Sequence, residues 1–386
     1  MQAASMKPAW MAVLLLPFLA SPARPATPPP GVVIDHQPAP TGVYLGSPSI
    51  VVLPSGLYVC SHDFFGPNST EHTSGLTRIF VSRDHGATWQ KTAELHDQYW
   101  SSMFLLRNRL YIMGTTANNG RIVIRRSIDE GKTWSDPAYL TDGLGYHTAP
   151  VPVVVDRGRV WRAFEYHPAG SAFQAFILSA PIDSDLLDRS NWTFTNRILY
   201  LSGTAGGKTW LEGNAVLGPN HQILDILRVD DVEKAAIAEL HCGVLQFSTV
   251  IDFPGGAKKF SIRYDNVSQR FWTLSNPALP SEPLSAEDPA AVRNTLVLMS
   301  SADLHHWQVE KTILSHPDPK FFAFQYVDWQ FDGADIVAVS RTAFEDETGG
   351  AHSWHDANFI TFHRIPDFRT TGTAHPDFPT PRPALP

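Results

Sequence analysis

The chain has 386 residues, enough for one large domain or two domains of ordinary size. Its formal net charge of −8 argues against a polybasic surface for nucleic acid or an anionic membrane. Aromatic residues make up 11% of the chain, with 11 Trp, and such rings suit packing between β-sheets or stacking on sugars.

The N-terminus has the pattern of a cleaved signal peptide. Lys7 precedes an apolar run from Ala9 to Ala20, and Ser21-Pro22-Ala23 has the small residues of a cleavage site. The apolar run is too short to span a bilayer, and no other stretch suggests membrane insertion. We therefore predict a signal peptide at 1–23, a Pro-rich linker at 24–31, and a periplasmic or secreted monomer.

Beyond the linker, one unit recurs along the chain: two apolar runs joined by a tight polar turn. The first unit joins Ile50–Leu53 to Leu57–Cys60 through Pro54-Ser55-Gly56. Most units are followed by two further strand-like runs, which indicates four-stranded antiparallel sheets. The turns of the other five units lie at 107–109, 156–158, 218–220, 266–268 and 332–334.

Six units predict an all-β fold, a single β-propeller of six four-stranded blades. The last unit has only one further strand, Phe359–His363, and the missing outer strand is available at Val32–Asp35. We expect the two ends of the chain to close the ring there. Seven blades remain the alternative, if one of the long connections at 181–210 or 276–294 contains a further blade.

An octapeptide motif occurs twice, as Ser82-Arg83-Asp84-His85-Gly86-Ala87-Thr88-Trp89 and as Ser127-Ile128-Asp129-Glu130-Gly131-Lys132-Thr133-Trp134. A looser copy at 301–307 lacks the Gly. In the two full copies the Ser and Asp side chains can accept hydrogen bonds from local backbone N–H groups, and the Gly can adopt a positive φ. The pattern predicts a self-contained turn whose role is architectural.

The octapeptide resembles the Asp-box of the sialidase superfamily, which lies on the outer hairpin of propeller blades. The resemblance implies a sialidase-like β-propeller over residues 32–366, followed by a Pro-rich tail at 367–386. It also implies an oligo- or polysaccharide substrate. The blade geometry places the loops into strand A and out of strand B on one face, here called the front, and the tight turns on the back.

Polar and aromatic residues converge on the front, where a propeller has its concave axial funnel. Asp63, Asp230 and Asp356 could either cap loops or act in the site. His62 could either form a hydrogen bond with the backbone or act in the site. Arg125 and Arg341 end apolar runs, so each fits a carboxylate clamp or an ion pair between blades. We predict catalytic roles for His62, His147, Arg125 and Arg341, and substrate binding by Trp100, Glu165, Glu212, Asn214, Lys258, His355 and Asn358.

Sialidases hold the substrate carboxylate with three arginines, use a Tyr activated by Glu as nucleophile, and use an Asp as acid/base. Their first arginine lies in an Arg-Ile-Pro motif before the first blade, where this chain has Gly46-Ser47-Pro48. The Arg364-Ile365-Pro366 near the C-terminus is in the wrong strand. This departure makes ordinary sialidase activity doubtful, although Arg125, Arg228, Arg263 and Arg341 could form a different clamp.

Runs such as Trp210-Leu211-Glu212-Gly213-Asn214 and His355-Asp356-Ala357-Asn358 also resemble exported propellers related to rhamnosyl-glucuronate lyases, once classed as α-L-rhamnosidases. This resemblance implies β-elimination at rhamnose-glucuronate caps. The chemistry needs a cation on the uronate carboxylate and a base for the C5 proton. His62 or His147 could be the base, with Arg125, Arg341 or Lys258 as the cation and His36 as a further candidate base.

Two other functions stay open. A glycosidase could use Glu165 or Glu212 with Asp63 or Asp230, and a non-catalytic propeller could simply bind a glycan. The chemistry requires no cofactor. His352 and His355 lack a third ligand for a transition metal, whereas front-loop oxygens could hold a structural Ca²⁺. Cys60 and Cys242 lie in different predicted blades, and we expect separate buried thiols.

Overall fold

The computed structural model of the chain describes residues 27–168, 171–201, 203–280 and 288–370. The predicted signal peptide lies outside the described residues, as do 24–26 of the linker and all but 367–370 of the tail. In the described part of the chain, no helix has the length and apolar character needed to cross a membrane.

The described residues form a six-bladed, all-β propeller of four-stranded antiparallel blades, as the sequence predicted. In blades one and three the innermost strand is divided in two. Blade one contains β2 (Tyr44–Leu45), β3 (Ser49–Val52), β4 (Tyr58–Phe65), β5 (Leu76–Ser82) and β6 (Gln90–His96); blade two contains β7 (Tyr99–Leu106), β8 (Arg109–Thr115), β9 (Ile122–Ser127) and β10 (Ala138–Tyr139); blade three contains β11 (Tyr146–His147), β12 (Val154–Asp156), β13 (Arg159–Tyr166), β14 (Gln174–Pro181), β15 (Thr193–Phe194) and β16 (Ile198–Leu199).

The second half of the ring repeats the arrangement and closes on the N-terminal strand. Blade four contains β17 (Trp210–Leu217), β18 (Ile223–Val229), β19 (Lys234–His241) and β20 (Val244–Asp252); blade five contains β21 (Ser261–Asp265), β22 (Arg270–Ser275), β23 (Thr295–Ser301) and β24 (Gln308–Ser315); blade six contains β25 (Ala323–Asp332), β26 (Asp335–Ala343), β27 (Phe359–Ile365) and β1 (Val32–His36).

The predicted ring closure is present: β1 runs antiparallel to β27, with Val32 opposite Phe362. The two long connections form no seventh blade. The connection at 181–210 adds only the short outer strands β15 and β16 to blade three. The described part of 276–294 contains one turn of 3₁₀ helix at Pro289–Ala291.

The hydrophobic core lies in the seams between neighbouring blades. Met113 of blade two packs in one cluster with Phe164 and Phe176 of blade three, and all three side chains are almost completely buried. At the ring closure, Val339 of blade six joins Ile50 of blade one in the same way. Each such side chain contributes about 1.5–3 kcal/mol when fully buried, so every blade depends on both neighbours.

The octapeptide motifs form the turns between the third and fourth strands of blades one and two, on the back. Ser82 Oγ accepts the Gly86 N–H at 2.8 Å, and Asp84 Oδ1 accepts the Thr88 N–H at 2.9 Å. The second copy repeats both hydrogen bonds at the same lengths. In the third copy, in blade five, Leu304 takes the place of the Gly with φ +68°.

The two cysteines are free thiols. Cys60 is buried, as predicted, but the prediction of a buried Cys242 was wrong. Cys242 is exposed because it lies in the two-residue turn between β19 and β20, with φ +49°.

Candidate active site

Strand A carries a β-bulge in alternate blades. At each bulge one non-glycine residue adopts positive φ: +45° at Trp100, +56° at Glu212 and +52° at Tyr326. Bulges re-aim side chains, and backbone strain of this kind concentrates at functional sites. The register shifts lie between Tyr99 and Ser102 in blade two, Leu211 and Asn214 in blade four, and Gln325 and Asp328 in blade six.

Two of these bulges bring their side chains together across the funnel. Tyr326 Oη donates a hydrogen bond to Glu212 Oε1 at 2.9 Å. Blade five separates the two parent blades, so the pair meets near the propeller axis. Glu212 is buried and Tyr326 is partly exposed, which leaves the phenol as the member of the pair nearer to solvent.

Three arginines surround this pair. Arg228 Nε lies 3.0 Å from Glu212 Oε2, and its guanidinium also donates to the Ala257 carbonyl. The guanidinium carbons of Arg341 and Arg293 lie 4.9 and 5.6 Å from the centre of the Tyr326 ring. They come from three different blades: four, five and six.

The three guanidinium groups are all buried, with 4–7% of each residue exposed. The pKa of Arg293 is lowered to about 10, first by burial and then by the like charges of Arg228 and Arg341. Burial also raises the pKa of Tyr326, and Glu212 adds to this rise, whereas the three arginines oppose it. An excess of buried positive charge favours an anionic ligand.

Each arginine is held by neighbouring groups. Arg341 Nη2 donates to the His355 carbonyl, while its Nε has no hydrogen-bond partner among the described residues. Arg293 donates from Nη1 to Gln325 Oε1 at 2.6 Å and from Nε to the Ala290 carbonyl at 2.9 Å. These contacts fix the planes of the guanidinium groups.

Asp63 lies deeper, between blades one and two, and burial raises its pKa to about 8. Its Oδ2 accepts the Trp100 N–H at 2.8 Å. The Thr77 hydroxyl lies 2.6 Å from Asp63 Oδ1 and 2.8 Å from the Gln98 carbonyl. A hydroxyl has one proton to donate and a carbonyl can only accept, so this arrangement suits a protonated Asp63.

Asp230 lies at the rim of the arginine cluster. Its Oδ1 is 3.8 Å from Arg228 Nη2, and its side chain is 31% exposed. Burial raises its pKa; Arg228 opposes the rise, and Asp231 and Glu212 add to it. Unlike Asp63, it combines a raised pKa with access to solvent.

His147, Glu165 and Trp100, all predicted from sequence, lie together beside this cluster. His147 Nδ1 is 3.2 Å from Glu165 Oε2, and its ring is 4.4 Å from that of Trp100. Glu165 Oε1 accepts the Gly213 N–H at 2.8 Å, directly after Glu212 in the bulge. The Glu165 carboxylate thus connects His147 to the backbone that aims Glu212.

His62 and Arg125 lie away from the funnel. His62 is completely buried between Asp35 of β1, 3.0 Å from its Nε2, and the Asp63 carbonyl. Arg125 donates to the carbonyls of His96 and Ser135 at the outer strands of blades one and two. Both contacts join strands or blades.

The other predicted binding residues divide between the scaffold and the rim. Asn214 bonds the backbone of blade five, and Lys258 donates to Glu233 at 2.6 Å. Asn358 bonds Asp346 and the Phe344 backbone. His355 is half-exposed on the rim, where it contacts Asp356.

Sequence reasoning did not single out Tyr326 or Arg293. The pattern placed Tyr326 inside a regular strand, and its bulge leaves no signal in apolar periodicity. Arg293 lies at the end of the long connection whose structure the pattern left open. A partial signal was present, because Arg228 and Arg341 both follow apolar runs at the ends of B strands.

At Gly46-Ser47-Pro48, where the sialidases have their first arginine, the serine side chain is buried. Arg364, of the C-terminal Arg-Ile-Pro, forms ion pairs with Asp332 and Asp335 on the back.

Within the described ranges, no group of three His, Cys, Asp or Glu side chains is placed to hold a metal ion. His352 and His355 both contact Asp356, at 2.7 and 2.8 Å. The Ca²⁺ site suggested by the sequence stays a prediction.

No protein-family model and no curated protein matches the sequence. Among solved structures, an α-L-arabinanase from Penicillium chrysogenum complexed with arabinobiose is 12% identical with a TM-score of 0.57, over 88% of this chain and 98% of that one. Trypanosoma rangeli sialidase with 2,3-difluorosialic acid is 14% identical with a TM-score of 0.56, over 82% of this chain and 54% of that one.

An α-L-arabinofuranosidase from Fusarium graminearum in complex with an iminosugar inhibitor is 10% identical with a TM-score of 0.53, over 86% of this chain and 97% of that one. At such low identity these likenesses establish the fold. They are named as an arabinanase, a sialidase and an arabinofuranosidase.

Proposed function

We propose that this protein is an exported, carbohydrate-active enzyme that hydrolyses the terminal glycosidic bond of an acidic sugar. The observation that carries the proposal is the hydrogen bond from Tyr326 to Glu212 inside a cluster of three arginines. The resemblance to sialidases supplies the chemistry of such a constellation, because that superfamily combines a Tyr–Glu pair with three arginines.

The arginines define the substrate class. A carboxylate on the sugar neutralises the mutual repulsion of Arg228, Arg293 and Arg341 and accepts charge-assisted hydrogen bonds from their free N–H groups. An uncharged sugar leaves only Glu212, and Asp230 at the rim, to balance three buried cations. We therefore assign carboxylate binding to this cluster, with Arg341 in place of the arginine absent at Gly46-Ser47-Pro48.

Tyr326 is assigned as nucleophile and Glu212 as its base. The Tyr326 Oη attacks the anomeric carbon, its proton passes to Glu212, and the bond to the leaving oxygen breaks. Water then attacks the anomeric carbon and gives a proton to Asp230, the acid of the first step, while the bond to Tyr326 Oη breaks and Glu212 returns the proton to Tyr326. Because its proton leaves only as the Oη attacks, Tyr326 approaches the carboxylate-bearing sugar as a neutral phenol, without like-charge repulsion.

Asp230 is assigned as the group that protonates the leaving oxygen. A general acid needs a proton at working pH and contact with the substrate. Asp63 meets the first condition but is 1% exposed, with both oxygens in hydrogen bonds. Asp230 is partly exposed, so it can reach the substrate, and its raised pKa favours the protonated form.

A lyase acting on rhamnose-glucuronate caps is the second candidate. The observation that favours it is His147, which lies beside the funnel on Trp100 and is oriented by Glu165. In this mechanism the arginines hold the uronate carboxylate, His147 removes the C5 proton, the C4–O4 bond breaks, and the departing O4 takes the proton from His147. Elimination yields an unsaturated uronate, whereas hydrolysis does not.

The experiment is incubation of the full chain with a sialoglycoprotein and, separately, with gum arabic. Released monosaccharides are identified by chromatography, and ultraviolet absorbance reports unsaturated uronate. Hydrolysis predicts a free acidic sugar with flat absorbance. Rising absorbance would show that the protein is a lyase. Saturable binding without any product from either glycan would show that it binds the glycan without cleaving it.

A further inference from the structure

A groove separate from the funnel lies on the back of the propeller, between blades three and four. Its volume is about 480 Å³, within the usual range of ligand pockets. It is formed by the tight turns of the two blades around Arg157 and His221, and by the hairpin turn at Cys242. Because these turns lie opposite the funnel loops, a ligand here does not compete with one on Tyr326.

The groove has an aromatic lining. Trp161 is partly buried in its wall, and Phe194 on the outer side is 40% exposed. The Arg159 guanidinium lies 5.8 Å from the Trp161 ring centre and is fixed by Thr193 Oγ1 at 2.8 Å. Trp161 on β13 and Phe194 on β15, strands that both pair with β14, offer aromatic surfaces that suit the flat, apolar faces of sugar rings.

The groove also has a positive edge. The Arg157 side chain is 70% exposed. Its Nη2 donates to the His221 carbonyl of blade four at 2.9 Å, so the cation is held over the seam. Arg157 and Arg159 outnumber Asp156, the acidic side chain of the lining, and this balance favours an anionic ligand although the chain is acidic overall.

We propose that this groove is a second carbohydrate-binding site, which takes a uronate-bearing stretch of an acidic polysaccharide. The aromatic surfaces stack on sugar rings, and Arg157 and Arg159 pair with the uronate carboxylate. The site anchors a long chain on the back while its end is free to reach the funnel. The inference stands whether or not the funnel performs the chemistry proposed for it.

The test is native gel electrophoresis of the full chain through gels that contain gum arabic, with arabinan as the neutral polysaccharide. The wild type is expected to be retarded by gum arabic and not by arabinan. The double variant Arg157→Glu with Phe194→Ala should bind gum arabic about tenfold more weakly or worse. Both residues are exposed, and thermal unfolding checks that the fold is intact.

A matched control is Arg107→Glu, since Arg107 occupies the same turn of blade two with φ +50°, close to the +49° of Arg157. This variant should be retarded like the wild type, and Arg341→Ala in the funnel should keep the part of the retardation that depends on the groove. The proposal is overturned if the wild type is not retarded, if both turn variants lose retardation equally, or if Arg341→Ala alone abolishes it. Activity on a small soluble substrate is recorded separately and tests only the funnel.

Discussion

Tyr326 of blade six donates a hydrogen bond to Glu212 of blade four at 2.9 Å, across the intervening blade five. Both residues lie at β-bulges with positive φ, so the backbone is distorted at the two points that bring them together. A Glu212→Gln variant keeps the size of the side chain but not its basicity. The same change removes the negative charge that faces Arg228. One substitution at Glu212 therefore alters the surroundings of both Tyr326 and Arg228.

The arginine cluster leads to a prediction about substrate affinity. Arg341→Ala should lower kcat/KM about ten- to hundredfold, mainly through KM, because a charge-assisted bond to the substrate carboxylate is lost. Steady-state kinetics on the acidic glycan measure this. Arg364→Ala is the control, since Arg364 pairs with Asp332 and Asp335 on the back; equal losses in the two variants would count against the clamp.

The assignment of Asp230 predicts a dependence on the leaving group. Asp230→Asn should slow hydrolysis of a natural glycan by about 10²–10⁴-fold. On an aryl glycoside whose leaving group needs no proton, the same variant should be much closer to the wild type. Asp63→Asn should show no such contrast, and a leaving-group contrast at Asp63 instead of Asp230 would reverse the assignment.

Asp63 makes stability depend on pH. Its pKa rises from 3.8 to about 8 on folding, so the folded state holds a proton that the unfolded state releases. The stabilisation from this proton is complete below the unfolded pKa and is lost as pH rises towards about 8. Asn at this position imitates the protonated acid, with an N–H for Thr77 and an oxygen for Trp100.

Urea unfolding at several pH values should therefore show the wild type losing stability between about pH 4 and about pH 8 relative to Asp63→Asn. Parallel pH profiles for the two proteins would mean that Asp63 is ionised in the folded state. Circular dichroism at each pH provides the check that both proteins start from the same fold.

The back turns offer a matched pair of glycines. Gly86 and Gly131 have φ +92° and +85°. A Cβ on Gly86 would lie 2.1 Å from the Phe362 ring, whereas one on Gly131 would be 3.3 Å from Val59. Gly131→Ala should cost about 1–2 kcal/mol through backbone strain, and Gly86→Ala about 1–3 kcal/mol more through the clash. Equal losses in chemical denaturation would contradict this.

Much of the fold could be predicted because its signals are local. The tight turns, the repeated apolar pairs and the octapeptides of Ser82 and Ser127 each specify a structure within about ten residues. Ring closure followed from one missing strand. The exposure of Cys242 was missed because the residue lies in the turn between β19 and β20. The sequence pattern identified the apolar strands but not this turn.

The candidate site was predicted only in part, because it depends on irregularities. Glu212 and Arg341 were found from their positions beside strand ends. Tyr326 was not, since a bulge at Gln325–Asp328 reverses which residues face the axis without changing their order. The burial of His62 against Asp35 depends on the N-terminal strand, a contact made by residues 27 positions apart.

The central claim is that Tyr326 is the nucleophile, and Tyr326→Phe tests it most directly. The measurement is the rate at which this variant releases acidic sugar from the glycan that the wild type cleaves, with thermal unfolding as the check on folding. The account predicts a rate lower by about 10³-fold, with the fold intact, because among the described side chains the phenolic oxygen forms a hydrogen bond with Glu212 alone. A folded variant that keeps a rate within about tenfold of the wild type would contradict it.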